Sequence, residues 1–567
     1  MRPSATSEVT DARGTLDRIT VLFVLLLCLG PVIVSRIGVP GLLNPGTGVN
    51  TFFVQYREHE PIFLALLGAF LVAVAVLARR QAPYADDDGA QQPLFALPRI
   101  TWLWVGAAVV FAITALGTWG VMHSFPASMD EFVAVFQSRV LASGRVTTVI
   151  PDAWKPFGQA LTPVFIGHDA ERSLWMAQYL PLYAVLRAPF VASGADRLVN
   201  PALAAMSVVL VYACARRLWP AHPHRAWIAA AFLASSTQLL FMSMTAFSMP
   251  AHLMANLCWL YAYLRGDRAG WIAAPVIGIA ALGLHNPFPH ALFVAPFLVH
   301  FVLRKRWAWT AYFGLVYLAG IVAWYTWMRS VGMRGTTAAT NVFAIPGAIM
   351  MGVQHLSLTL VFSWQTPIFA LSLAWLLAGW RRLETAERLL AAGVALSFAF
   401  FYWFASTQGH GWGYRYTFPV LGNLVLLAAL GTDMLTNALG RVVVRRVLVA
   451  SLVLTALVQL PLRAWQVERY VRPFASLHAH MTSIDADVVI VDPTSSWYGI
   501  DLVRNDPFLQ DQPKVLSAFY LRANEKRLLA ERFGSRVHLL RAEEIERFGI
   551  PIFPSRFKKG IWPPRVE

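Results

Sequence analysis

The sequence predicts an all-α polytopic membrane protein that ends in a small α/β soluble domain. Three observations predict this fold class. Of 567 residues, 57% are hydrophobic and only 14% charged, with a mean hydropathy of +0.52, whereas soluble domains carry about 25% charged residues. Apolar runs of roughly 17–22 residues, each long enough to cross a bilayer core of about 30 Å, recur along the chain. The final stretch of about 100 residues changes to short alternating strand and helix patterns, near the lower size for independent folding.

The apolar runs fall roughly at 19–38, 61–78, 100–120, 199–216, 225–247, 251–264, 271–285, 289–303, 307–328, 364–380, 386–405, 416–436 and 446–463, about 13 in all. The first run lacks a small-residue cleavage site and reads as a retained helix. Basic clusters at Arg79-Arg80, Arg216-Arg217, Arg265 with Arg268, Arg304-Lys305-Arg306, Arg381-Arg382 and Arg445-Arg446 alternate with the spans. All become cytoplasmic if the N-terminus is inside and Pro346–Phe362 does not cross. The loop 121–198, the shorter loops 329–363 and 406–415, and the C-terminal tail then lie outside. Residues 1–99 read as a tail with two additional helices, 100–465 as the membrane core and 466–567 as the extracytoplasmic α/β domain. In that domain Asp487–Asp492 and Val537–Leu540 read as strands, and Asn524–Phe533 and Glu543–Phe548 as helices.

The formal net charge is +16. Its arginines sit in short connections between apolar runs, which is the pattern of membrane loops and not of a nucleic-acid surface. Cys28, Cys214 and Cys258 lie in separate apolar segments and read as small buried hydrophobes. No HExxH, CxxC or phosphate-binding glycine loop occurs, so no metal or cofactor is implied.

Two outer segments carry candidate chemistry. Ser128-Met129-Asp130-Glu131 opens an amphipathic helix, with Ser128 as cap and Glu131 completing a capping box. Asp130 is not needed for the box. It sits in the first turn, where the helix dipole favours its ionised form and leaves it able to accept a proton. The second segment is Gly409-His410-Gly411-Trp412-Gly413-Tyr414-Arg415-Tyr416, leading into a span. Arg415 breaks the positive-inside pattern and offers a planar fork of donors suited to phosphate; snorkelling to lipid headgroups is the bland alternative. His410 reads as a proton carrier, a phosphate ligand or a plain loop histidine. Lys155, Gln178, Tyr179, His285 and Asn286 gather on the same side, and His252 and His290 lie just inside spans. Polar groups at such depth need partners or a cavity.

The segments MDEFVAVFQSRVLASG, QYLPLYAVLRAPF, LHNPFPHALFVAPFLVHFVLRKR and GYRYTFPVLGNLVLLAAL, in that order, resemble the GT-C superfamily of membrane glycosyltransferases. The branch with protein O-mannosyltransferases and the lipid A aminoarabinose transferase is the nearest in pattern. The resemblance covers about residues 100–465 and implies a GT-C-like core. It also implies inverting transfer of a sugar from a polyprenyl-phosphate donor to an acceptor hydroxyl on a glycan, lipid or protein, at the outer face of the membrane. By position Asp130 matches the family's loop aspartate and would be the base, with Glu131 beside it. Arg415 matches the late-loop arginine and would hold phosphate, with Lys155 and His410 as further phosphate candidates. Tyr416, Gln178, Tyr179, His285 and Asn286 would contact substrate. The chain departs from the family at His285-Asn286-Pro287, where many relatives carry arginine before proline. A transporter or flippase for a lipid-linked or anionic solute is the alternative. It would place ionisable groups at the midplane and show related halves, and neither pattern is visible.

Overall fold

The computed structural model describes residues 5–29, 49–80, 94–332, 348–403, 411–492 and 499–550. Seven helices are long and apolar enough to cross a membrane: His59–Arg79, Thr101–Gly120, Asp196–Leu218, Trp307–Ser330, Thr385–Trp403, Arg415–Leu439 and Arg441–Ser483. Two more arise if each bent pair counts as one span. Pro223–Ala234 joins Thr237–Ser243 at 52°, and Gln354–Ser363 joins Pro367–Ala378 at 111°. Among the described residues the count by length is therefore seven to nine, against about 13 apolar runs in the whole sequence. Runs such as 271–285 and 289–303 fold as short helices, Arg268–Leu282 and Phe288–Leu303. Run 225–247 breaks where the Ser236 hydroxyl accepts from Leu239 N and starts a new helix.

The fold class stands: a helical membrane protein with a small α/β region. Its core packs Val199–Leu218 against Met249–Leu264, and Pro367–Ala378 against Leu421–Leu439. The helix Leu460–Ser483, the last before the α/β region, runs without interruption through residue 465, so the C-terminal strands begin only at Val488. There Val488–Val491 is the centre of a three-stranded parallel sheet between Lys514–Ser517 and Val537–Leu540. A parallel strand buried on both faces reads as an unbroken apolar run, which is why Val-Val-Ile-Val was legible. Loop 121–198 contributes the helix Met129–Ala142 and a small antiparallel sheet of Thr148–Val149, Leu174–Ala177 and Ile166–Asp169.

The N-terminal helix Val49–Arg80 is tied to the last helix by a buried ion pair. Arg463 Nη1 and Nη2 donate to Glu60 at 2.5 and 3.0 Å, and Ser363 and Trp364 also donate to that carboxylate. Arg463 lies 3.4 Å from the centroid of Phe63 and 4.0 Å from that of Trp364. Removing one partner strands a charge in an apolar interior. Glu60→Ala is therefore expected to lower stability by about 3–5 kcal/mol, with the double variant Glu60→Ala, Arg463→Met recovering most of it. Thermal unfolding in detergent measures both. Equal loss in the single and double variants would show that the pair itself contributes nothing.

Candidate active site

The helix carrying Asp130 starts as its sequence requires. The Ser128 hydroxyl accepts from Asp130 N at 3.0 Å, and Glu131 Oε1 accepts from Ser128 N at 3.2 Å. Glu131 Oε2 accepts from Ala246 N at 3.0 Å, so both oxygens of this buried carboxylate are held by backbone amides. Glu131 thus clamps the helix start to the turn 245–247 and does not face the cavity. Asn200 fixes the same turn from the other side, donating to Thr245 O and Phe247 O.

Arg415 reaches Asp130 across 285 residues: Nη1 donates to Oδ2 at 2.7 Å. Tyr179 donates its hydroxyl to Oδ1 at 2.5 Å. The side chains of Asp130 and Arg415 are 17% and 12% exposed, which makes this a nearly dry pair reachable from one side. The Arg415 guanidinium lies 5.3 Å from the ring centroids of both Phe247 and Tyr416. Burial pushes the Asp130 carboxyl up, but Arg415, His285 and the Tyr179 hydroxyl outweigh it and hold it down at about 2. Burial and the adjacent Asp130 charge raise the Tyr179 phenol well above its ordinary value, so it remains a donor.

Neighbouring segments place the partners. Trp412 and Tyr414 are fully buried, the Tyr414 hydroxyl donates to Gln354 Oε1, and Gln238 Nε2 donates to Tyr414 O at 3.0 Å. Gly413 has φ +76°, and a Cβ there would lie 2.6 Å from the Gln238 side chain, so only glycine lets the loop turn Arg415 outward. Backbone bonds Leu180 N to His285 O and Leu182 N to Gly283 O lay two loops side by side. They bring the His285 ring to 3.9 Å from that of Tyr179. Next to this cluster a small, partly open cavity of about 20 Å³ is lined by Asp130, Gln137, Tyr179, Tyr183, Ser248 and His285 over an apolar wall.

The structure thus brings together Asp130, Tyr179, His285, Arg415 and Tyr416. Three other expectations separate from this group. Lys155 pairs with the exposed Asp152 at 2.5 Å and lies beside Trp154, which stacks on Phe533. Asn286 Oδ1 accepts from Phe288 N and so opens the next helix. Gln178 is half-buried outside the cavity lining, its backbone N–H bonded to Phe165 O. His410 lies outside the described residues. Sequence reasoning passed over Gln137, Tyr183 and Ser248. Gln137 bridges Val146 O and Ala177 N, and its helical spacing from Asp130 was the available signal.

Among the described residues one His/Asp group, His222, His224 and Asp433, has potential ligand atoms within 4.8 Å of one another. Asp433 is already held by Arg225 at 2.5 and 2.9 Å, which disfavours a cation. It also lies 18 residues beyond Arg415 in the same span, about 27 Å away at 1.5 Å per residue. This knot therefore marks the opposite end of the membrane core from Asp130.

Glu131 has a testable pH signature. Burial raises its carboxyl to about 7, against the pull of the Ala246 and Ser128 amides and Arg504. Only the ionised form accepts from both amides through both oxygens, so activity is expected to rise with pH through about 7. Glu131→Gln should flatten that limb and lower the plateau, read from kcat/KM between about pH 5 and 9. Because its folded-state value is raised, the native state holds a proton that the unfolded chain releases between about pH 4.5 and 7. Stability from this group, about 3 kcal/mol, is then lost as pH rises through that window. An unchanged acid limb in the variant would assign it elsewhere.

No family model and no curated protein matches the sequence. Among solved structures the chain is similar to ArnT from Cupriavidus metallidurans. The apo crystal structure aligns with TM-score 0.52 and 14% identity over 78% of this chain and 89% of that one. The crystal structure of ArnT bound to undecaprenyl phosphate aligns with TM-score 0.49 and 15% identity over 77% and 90%. The chain shares the fold of ArnT over most of its length.

Proposed function

We propose that the protein is an inverting glycosyltransferase that moves a sugar from a polyprenyl-phosphate donor to an acceptor hydroxyl at the outer face of the cytoplasmic membrane. The observation that carries this reading is the meeting of Asp130, Tyr179 and Arg415 from three remote segments, with Asp130 and Tyr179 lining one cavity. Such transfer needs a carboxylate for the acceptor proton and a cation for the departing phosphate. The oxygen of the acceptor attacks the anomeric carbon as the bond from that carbon to the phosphate oxygen breaks. Asp130 takes the hydroxyl proton, and Arg415 balances the charge left on polyprenyl phosphate.

The ligand-free arrangement adds a coupling. While paired with Arg415, Asp130 is a weak base. A donor phosphate competes for the guanidinium, and as Arg415 turns to it the carboxylate's proton affinity rises. Base strength then appears only when donor is bound. Charge supports the outer placement: Arg216, Arg217 and Arg225 lie toward the end of the core marked by Asp433, away from Asp130.

The direct test supplies the purified chain in detergent with a radiolabelled polyprenyl-phosphate sugar and a membrane glycolipid extract. The expected result is release of free polyprenyl phosphate with label appearing on an extract component. Movement of intact donor across vesicles with no bond cleaved would instead indicate a transporter. Comparing glycolipids and surface glycans with and without the gene would then identify the acceptor.

A further inference from the structure

The C-terminal region reaches back to the helix that carries Asp130. Arg504 Nη1 donates to Pro126 O, and Nη2 donates to Ala127 O at 3.3 Å. These are the last two residues before the Ser128 cap. The guanidinium is only 9% exposed and lies 4.6 Å from the centroid of Phe125 and 5.6 Å from that of Phe132. Its Nε donates to Asp501 O at 2.7 Å, which fixes the side chain from its own segment. Two residues on, Asp506 accepts from Arg139 near the other end of the same helix, and Thr148 donates to Pro507 O. One short stretch thus grips the Asp130 helix at both ends.

Chain carbonyls before a helix are usually left to water or to a neighbouring amide. Here a buried guanidinium binds two of them, which costs desolvation that a purely solvent-facing contact would avoid. Burial lowers the Arg504 guanidinium to about 10, against the pull of Asp501 and Glu131. Burial raises the Asp501 carboxyl to about 6, with Arg504 opposing and Asp130 adding to the rise. The two C-terminal groups therefore sit in the field of the site.

We infer that Arg504 is a positioning residue for Asp130: it sets the entry of the chain into the Asp130 helix, so that the C-terminal domain completes the catalytic centre. The inference rests on the glycosyltransferase reading above. Arg504 touches neither substrate nor reacting atoms. It acts by fixing the carboxylate against the acceptor, while donor phosphate remains held by Arg415. Its loss therefore appears in kcat and not in the KM for donor.

Kinetics on the full chain in detergent test this. Arg504→Ala is expected to lower kcat about 10- to 100-fold, the cost of a roughly 1 Å misplacement, with donor KM within about twofold of the parent. Guanidinium ion added at millimolar concentration should restore part of the rate, and Arg504→Lys should be intermediate. Arg532→Ala is the control. It removes a contact of the same interface, Arg532 Nη1 to Ala153 O at 2.8 Å, remote from the helix start, and should leave the kinetics unchanged. Normal kcat in Arg504→Ala, a rise in donor KM alone, or equal damage in Arg532→Ala overturns the inference. If Arg504→Ala does not fold, the lysine variant decides on the same split. The parent chain in the same assay separates the two readings: no sugar transfer by the parent defeats the glycosyltransferase reading, whereas transfer by the parent beside a fully active Arg504→Ala defeats only this one.

Discussion

Asp130→Asn is expected to reduce sugar transfer by about 10²- to 10⁴-fold while tightening the hold on donor phosphate. The two effects have one cause. An amide cannot take the acceptor proton, and it no longer neutralises Arg415, which pairs with Asp130 at 2.7 Å. A buried guanidinium without its carboxylate gains more from a phosphate than one already paired. Binding of polyprenyl phosphate should therefore strengthen by about tenfold, the worth of one charge-assisted hydrogen bond. Turnover of labelled donor and equilibrium binding of the free lipid phosphate measure the two arms. Near-normal turnover would remove Asp130 from the chemistry, and unchanged affinity would show that phosphate does not compete for Arg415.

Arg415→Ala should show the complementary pattern. Without the cation, departing phosphate loses its main counter-charge, and kcat/KM for donor is expected to fall by about 10²- to 10³-fold. Lysine is a poor replacement. The guanidinium plane lies between Phe247 and Tyr416 and presents a fork that one ammonium cannot reproduce. Arg415→Lys should therefore stay close to the alanine variant. A variant with parental kcat and donor KM would place Arg415 outside the phosphate site.

The parts of this site that local chemistry dictates were legible in the sequence. A serine, an acidic pair and a four-residue apolar spacing specify the helix at Ser128, and the structure starts it there. A lone arginine in a glycine-aromatic segment, on the side where cations are not expected, marked Arg415. Other features depend on what folds beside them. Lys155 carries the right charge in the right loop, yet its nearest carboxylate is Asp152, three residues away, and it closes on that. Glu131 reads equally as acid or as cap until Ala246 N arrives to take its second oxygen. The strand Lys514–Ser517 was missed because two apolar residues between a lysine and a serine carry no periodicity of their own. Arg504 gave no local signal at all, since its meaning comes from carbonyls 378 and 377 positions earlier. Hydropathy likewise registers the length of run 225–247 but not the break at Ser236 inside it.

The Glu60–Arg463 pair sets a condition on biogenesis. Its two halves are 403 residues apart, so a nascent chain inserts its early acid long before the matching base leaves the ribosome. Until then the Glu60 carboxylate has no guanidinium to face, so a chain cut short before Arg463 is expected to hold its helix Val49–Arg80 less firmly than the full chain does.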